Sequence, residues 1–164
     1  MTIAVVGLGL MGGSLCKAIK TYTNHTVLGY DIDPSIADTA KKAGAIDGQT
    51  DPVGLGCADI SFVCLHPEDT VRFITENLDY FKKNGIVADI CGVKAEIVRQ
   101  VEGPLLRKGV LYVGTHPMAG CEYSGFAHSD SRLFSGASFI ITRTENTSPD
   151  AVETIRELAL AIGF

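Results

Sequence analysis

A glycine-rich turn near the amino terminus constrains this chain more than any other feature. Gly7, Gly9 and Gly12 form the pattern GLGLMG directly after the apolar run 3–6 and at the start of a predicted helix. In this context the first glycine permits a tight turn, the second lets a pyrophosphate approach the backbone, and the third allows close helix packing. The helix N-terminus adds free N–H groups that attract an anion. We therefore assign the whole turn to dinucleotide binding: Gly7, Gly9, Leu10, Met11 and Gly12.

Asp31 supports this assignment and indicates the type of cofactor. It follows the second predicted strand, where a carboxylate accepts hydrogen bonds from the adenosine ribose hydroxyls. The same charge would repel the 2′-phosphate of NADP, and no Arg or Lys in 30–40 offsets it. We therefore predict NAD. In the alternative interpretation the glycines only serve a turn and Asp31 caps the next helix, although Asp33, directly before Pro34, is the better capping candidate.

The rest of the chain alternates short β-branched runs with longer helical patterns, which is typical of βαβ units around a mostly parallel sheet. Strands are predicted at 3–6, 26–30, 60–65, 86–90, 110–113 and 138–142, with a further short one near Ala45 and Ile46. Helices are predicted at 11–20, 34–42, 67–78, 94–106 and 149–162, some of them after a capping residue such as Asp33 or Ser148. The fold class is α/β, a Rossmann-type doubly wound sheet in one domain. The stretch 115–137 is predicted to be one long irregular loop, and such loops are often functional.

Composition limits the partners. A net charge of −5 provides no clustered basic surface for a nucleic acid or an anionic membrane, and no apolar run reaches the roughly 18 residues that span a bilayer. The five cysteines form an odd set without a CxxC pair, so they indicate neither a disulfide framework nor a zinc site. We expect a small-molecule partner, no metal and a reducing, cytoplasmic location.

Three segments resemble the prephenate and arogenate dehydrogenase family, over almost the whole chain. The opening VGLGLMGGSL is similar to that family's glycine loop, and GTHPMAGCEYSGFAHSD at 114–130, followed by LFSGASFIIT, is a more specific match. DICGVK at 89–94 looks like the family's DxxSVK element. It departs from the pattern because Gly92 stands where many members carry a serine, and Cys91 beside it is a poor substitute.

The resemblance implies NAD-dependent oxidative decarboxylation of prephenate or arogenate in tyrosine biosynthesis. Hydride leaves the ring carbon that bears the hydroxyl, and carbon dioxide departs as the ring becomes aromatic. His116 matches the family histidine that accepts the hydroxyl proton, and a neutral imidazole suits this role. Pro117 restricts the backbone of His116 to extended geometry. A lone histidine at a strand end is more often structural, but the surrounding motif favours catalysis.

Further candidates surround this histidine. His66 follows a strand and precedes a proline, which places it near the nicotinamide side of the cleft. The family motifs also suggest four candidate substrate-binding residues: Gly92, Lys94, Glu122 and Ser124. For Lys94, a solvated position in the first turn of a helix is an equal alternative.

Family members continue with a last strand and a helical dimerisation domain that supplies an arginine for the substrate carboxylate. Because this chain ends at Phe164, we expect it to be part of a longer homodimeric enzyme, or a split gene product, with little activity alone. Two alternatives stay open. A β-hydroxyacid dehydrogenase of the same superfamily would explain the glycine loop but not THPMAG, and a non-catalytic dinucleotide-binding module would need no chemistry.

Overall fold

A single sheet of seven strands organises the computed structural model, which describes residues 1–164. The strands are β1 (Thr2–Val6), β2 (Thr26–Tyr30), β3 (Gly48–Gln49), β4 (Ile60–Val63), β5 (Ile86–Asp89), β6 (Leu111–Pro117) and β7 (Phe139–Thr142). Their order is β3-β2-β1-β4-β5-β6-β7, in which β1 to β6 run parallel and β7 pairs antiparallel with β6. The predicted α/β fold with a mostly parallel, doubly wound sheet is confirmed.

Five helices cover both faces of this sheet: α1 (Leu10–Tyr22), α2 (Pro34–Lys42), α3 (Pro67–Glu76), α4 (Ala95–Arg107) and α5 (Pro149–Ala161). Strand side chains alternate between the two faces, so Ile3 and Val5 of β1 join the core under α1, α2 and α5, whereas Ala4 and Val6 join the core under α3 and α4. None of these helices is both long and apolar enough to cross a membrane. All five cysteines are free thiols.

Two predicted caps begin their helices as expected. The Asp33 carboxylate accepts a hydrogen bond from the Ser35 N–H at 2.9 Å, and the Ser148 hydroxyl accepts one from the Ala151 N–H at 3.3 Å. In each case a proline follows the cap, where its missing N–H and fixed φ cost the helix nothing. Asp33 therefore caps α2, which leaves Asp31 for another task.

The short strand predicted near Ala45 and Ile46 was placed wrongly. These two residues are buried at 2% and 3% exposure and pack into the core, but the strand pairing begins later, where Gly48 pairs with Leu28. Their apolar side chains are explained by burial in the core and not by membership of a strand.

The prediction of one irregular loop at 115–137 was also wrong at its start. β6 continues through Pro117, because β7 folds back and pairs with it from Gly114↔Thr142 to Pro117↔Phe139. A partner distant in sequence therefore holds GTHP extended, and His116 lies in a strand opposite Ile140. The remaining part of the loop contains one short 3-10 turn, Phe126–His128.

Candidate functional site

The glycine turn is packed tightly at two positions and open at one. Gly7 has a φ of 85°, and a Cβ on it would lie 2.7 Å from the Cys64 carbonyl oxygen. A Cβ on Gly12 would lie 1.9 Å from the Gly7 oxygen, whereas a Cβ on Gly9 would meet nothing within 4 Å. Gly7 and Gly12 are therefore required by the protein's own packing, and Gly9 leaves backbone accessible to a ligand.

Helix α1 presents its N-terminus to the same opening. Gly9 is the N-cap residue and offers no side-chain cap, and the first intrahelical hydrogen bond runs from the Gly13 N–H to the Gly9 oxygen at 2.9 Å. The preceding N–H groups of the helix therefore have no intrahelical acceptor, and the helix dipole adds partial positive charge. The opening is a cleft of about 580 Å³ whose lining includes Gly7, Gly9, Leu10 and Met11.

Asp31 lies at the border between this cleft and a second cavity of about 420 Å³. Its Oδ2 accepts from the Leu8 N–H at 2.8 Å, and its Oδ1 accepts from the Asp33 N–H at 3.0 Å. Each carboxylate oxygen can accept two hydrogen bonds. Asp31 therefore braces the glycine turn and retains acceptor capacity toward both cavities.

The second cavity contains a basic residue that sequence analysis did not predict. Arg72 of α3 lines it together with Asp31, and the Arg72 guanidinium forms an ion pair with Asp69 at 2.6 Å. Tyr30 and Phe73 contribute an aromatic pair with ring centroids 5.9 Å apart. The cavity lining thus combines an aromatic pair with charged groups. Only tertiary structure brings α3 to the end of β2, so no local signal identified Arg72.

His116 lies directly against Gly92. The His116 Nδ1 is 3.2 Å from the Ile90 carbonyl oxygen, and a Cβ on Gly92 would lie 3.2 Å from Cε1 and 3.3 Å from Nε2 of the imidazole. Gly92 lines the cleft, whereas His116 is half-buried just behind this lining. The structure therefore brings together the two family motifs around 92 and 116.

Cys91 lines the cleft beside Gly92, but its thiol is already engaged by other residues. The Cys91 thiol donates to the Leu65 carbonyl oxygen at 3.4 Å and lies 3.5 Å from the Thr70 hydroxyl. Burial raises the pKa of this thiol, so its neutral form is favoured further. Its hydrogen bonds point into the β4–α3 side of the molecule.

Lys94 is neither solvated nor part of the cleft lining. Its Nζ forms an ion pair with Asp89, and the two side chains are 11% and 0% exposed. The Tyr112 hydroxyl donates to the other oxygen of Asp89 at 2.6 Å. Burial lowers the pKa of Lys94 while the Asp89 charge opposes this change, and burial followed by the same charge raises the pKa of Tyr112. The solvated alternative for Lys94 was wrong, and its predicted contact with substrate stays a prediction.

The segment after His116 returns to the glycine turn. Tyr123, Ser124 and Gly125 line the cleft, and Glu122 lies exposed outside this lining. His66 lines the cleft from the N-cap of α3. Of the candidate substrate-binding residues, Gly92 and Ser124 therefore line the cleft, and Glu122 does not.

Three contacts anchor this segment to α1. A Cβ on Gly13 would lie 2.7 Å from the Phe126 ring, the Ser14 hydroxyl accepts from the Asp130 N–H at 3.0 Å, and Lys17 donates to the Ser129 carbonyl oxygen at 2.7 Å. GGSL and GFAHSD, which carry the family resemblance, are thus in direct contact. The two motifs thus form one packing contact between α1 and the segment after His116.

The fold and this cleft define a nucleotide-binding α/β domain. A family description, "prephenate dehydrogenase, nucleotide-binding domain", matches residues 15–163, and the chain belongs to this family. It is 32% identical over 161 residues to prephenate dehydrogenase from Bacillus subtilis strain 168. This alignment covers 96% of the present chain and 43% of the relative.

Solved structures of arogenate and prephenate dehydrogenases are also similar to this chain. Arogenate dehydrogenase from Synechocystis superposes with a TM-score of 0.91 at 27% identity, over 99% of this chain and 57% of that one. Prephenate dehydrogenase from A. aeolicus, solved with hydroxyphenyl propionate and NAD⁺, gives the same TM-score at 26% identity, again over 99% and 57%. The chain thus spans less than half of its Bacillus relative and somewhat more than half of these solved chains.

Proposed function

We propose that this chain is the NAD-binding and catalytic part of an enzyme that oxidatively decarboxylates prephenate to 4-hydroxyphenylpyruvate or arogenate to tyrosine. The observation that carries the proposal is the placement of His116 against Gly92, a residue that lines the same cleft as the glycine turn and Asp31. The solved relative with NAD⁺ and a hydroxyphenyl acid supports both the cofactor and the substrate class. The cytoplasmic location stays a prediction.

The residues of the cleft fit NAD. The open backbone at Gly9 and the free N–H groups of α1 suit a pyrophosphate, and the spare acceptor capacity of Asp31 suits ribose hydroxyls. His66, on the neighbouring strand end, then lies toward the nicotinamide. NAD, when bound, supplies the hydride acceptor for the oxidation.

His116 accepts the proton of the ring hydroxyl in this proposal. A carbonyl oxygen can only accept a hydrogen bond, so the contact with Ile90 requires a proton on Nδ1 and leaves Nε2 as the basic nitrogen. The hydroxyl proton passes to Nε2, the hydride leaves the ring carbon, and the C–C bond to the ring carboxylate breaks to release carbon dioxide. Aromatisation of the ring favours the products.

The substrate contacts follow from exposure. Gly92 and Ser124 lie at the cleft surface and are proposed to contact the ring. Lys94 would have to leave the buried pair with Asp89 to reach it, and Glu122 would have to turn inward. We also propose that the region beyond this domain completes the site with a further strand, an arginine for the ring carboxylate and a helical dimer interface.

Steady-state assays with prephenate, arogenate and β-hydroxyacids test the proposed function on the chain extended by its own downstream sequence. NAD-dependent release of carbon dioxide from one cyclohexadienol is the expected result. Turnover of β-hydroxyacids alone would overturn the proposal in favour of another dehydrogenase, and absence of all turnover with intact NADH binding would favour a binding module.

The same assays on residues 1–164 alone test whether this domain binds the cofactor but needs the downstream region for turnover. We expect NADH to bind, as detected by fluorescence titration, with little or no turnover, because the substrate lacks its carboxylate anchor and the cleft stays open to water. Robust turnover by residues 1–164 would contradict the proposal that turnover needs the downstream region.

A further inference from the structure

The proposed function leaves one buried charged group unexplained, the Asp89 side chain at the end of β5. Its exposure is 0%, and its carboxylate accepts hydrogen bonds from Lys94, from the Tyr112 hydroxyl at 2.6 Å and from the Cys91 N–H at 2.9 Å. With three donors from the chain and no contact with the cleft, Asp89 is not placed to bind a ligand.

This carboxylate shapes the turn that follows β5. The bond from the Cys91 N–H back to Asp89 closes a turn of the kind that aspartate side chains favour. The main-chain oxygen of Asp89 also accepts a hydrogen bond from the Thr115 hydroxyl at 2.5 Å. Asp89 therefore ties the turn to β6 at the residue directly before His116.

Two residues of this turn lie against the His116 imidazole. The Ile90 carbonyl oxygen lies 3.2 Å from Nδ1, and Gly92 supports the ring on the side of Cε1 and Nε2. The position of the turn thus determines which ring nitrogen carries the proton, since the bond made by one nitrogen fixes the state of the other.

A buried ion pair is a poor device for stability alone, because desolvation offsets much of its Coulomb energy and apolar replacements are often as stable. A role in fixing geometry accounts better for its burial beneath this turn. We propose that Asp89 and Lys94 are positioning residues that hold His116 in the Nδ1–H form, with Nε2 free to accept a proton. The purpose of this arrangement rests on the proposed function, but the arrangement itself can be measured separately.

The test uses residues 1–164 with ¹⁵N-labelled histidine, whose two ring nitrogens report the tautomer by NMR. The variant D89N/K94M removes both charges together, so that no unpaired charge is left buried. The matched control D59N/K82M removes another lysine–aspartate pair, 2.6 Å long but exposed, whose Asp59 also accepts a backbone N–H bond, from Thr2. A third variant, Y112F, removes one donor to Asp89 and keeps the ion pair.

In D89N/K94M the preference of His116 for the Nδ1–H form should fall by about three- to tenfold, as expected when one hydrogen bond is lost. Y112F should shift it in the same direction by less, and it serves as the decisive variant if the double variant does not fold. NADH affinity, measured on the same samples, should stay within about twofold of wild type in both, a small change on the scale of 1.4 kcal/mol per tenfold.

An unchanged His116 tautomer in folded D89N/K94M, or in Y112F if only that variant folds, would overturn the proposal. An equal shift in D59N/K82M would do so as well, because it would reveal general loosening rather than positioning. Failure of the wild-type chain to bind NADH would instead count against the proposed function and leave the tautomer result standing.

Discussion

Two aspartates at the ends of parallel strands differ in how their carboxylates are satisfied. Asp31 follows β2, is half-buried and accepts two backbone N–H bonds at the border of two cavities. Asp89 ends β5, is fully buried and accepts from an ammonium, a phenol and a backbone N–H. The same residue type at the same edge of one sheet thus has two different environments.

The comparison teaches that free acceptor capacity, more than position along the strand, separates the proposed binding carboxylate, Asp31, from the proposed positioning carboxylate, Asp89. Ligands of open α/β sheets bind beyond the carboxyl ends of the strands, so both residues lie in the right region. Only Asp31 faces open space there. Asp89 acts on the site through the turn that contacts His116. Changes at the Asp31 end should therefore alter cofactor choice, and changes at the Asp89 end should alter chemistry or stability.

The largest expected effect is at the chemical end of the cleft. In the complete enzyme, His116→Asn should lower kcat by about 10²–10⁴-fold, because proton acceptance by a positioned base contributes this much. NAD affinity should stay nearly unchanged, since His116 is not among the residues that line the cleft with the glycine turn and Asp31. Steady-state kinetics and calorimetric titration measure the two quantities. His25→Asn, near the N-terminus, is the control. If His116→Asn kept more than about a third of wild-type kcat, far above this range, the histidine would be structural.

The next effect concerns stability at Asp89. Lys94→Met should lower the free energy of unfolding by about 3–5 kcal/mol, because it leaves a buried carboxylate without its counter-charge. Lys82→Met, which breaks the exposed pair with Asp59, should cost at most about 1 kcal/mol. Urea unfolding of the two variants measures the difference. Similar losses in both would mean that burial of the Asp89 pair has no energetic consequence.

The sequence predicted the parts of the site that depend on local chain geometry. The glycines and Asp31 were proposed as cofactor-binding residues because strand, turn and helix follow one another directly, and their packing needs only neighbouring residues and the adjacent strand end. His116 was proposed as the proton acceptor from the family motif. The motif could not place it in a strand, because β6 extends to Pro117 only through pairing with β7.

Two features near the site escaped prediction, for different reasons. Arg72 reaches the cavity beside Asp31 from α3, and nothing in its local sequence indicates that neighbour. The Asp89–Lys94 pair did leave a signal, since IVAD ends an apolar strand with a charge that must find a partner. Lys94 was instead assigned either to substrate or to solvent. A search for the counter-charge of each buried aspartate would have identified the pair.

A smaller effect tests the cofactor end. Asp31→Ala should reduce the preference for NAD over NADP by about 1–3 kcal/mol, the cost of losing a charged hydrogen bond. Calorimetric titration of both cofactors with residues 1–164 measures it. Asp33→Ala is a matched control, because this neighbouring carboxylate caps α2 and does not line either cavity. NADP binding by the wild-type chain at least as tight as NAD binding would contradict the role of Asp31.

The smallest effect concerns Arg72, the one basic residue among the acidic groups Asp31, Asp69 and Glu76 around the second cavity. Its ion pair with Asp69 is exposed, with side chains 66% and 42% accessible. Exposed ion pairs contribute little free energy, so breaking this pair should cost little. Asp69→Asn removes one negative charge and frees the guanidinium for a 2′-phosphate. NADP affinity should then rise by about two- to fivefold at low salt, the range of exposed charge interactions, and the gain should shrink as salt screens it.

Two variants determine whether this gain comes from Arg72. Adding Arg72→Met to Asp69→Asn should abolish most of it, because only the guanidinium can bind the phosphate bidentately. Glu153→Gln removes one charge from a similar exposed pair with Arg156 on α5, far from the cavity, and should leave NADP affinity unchanged. A gain that survives Arg72→Met would assign the effect to the lost negative charge alone. In that case the combined negative charge of Asp31 and its acidic neighbours would disfavour NADP. The contrast with Asp89 would then apply to all the acidic residues around the cavity and not to Asp31 alone.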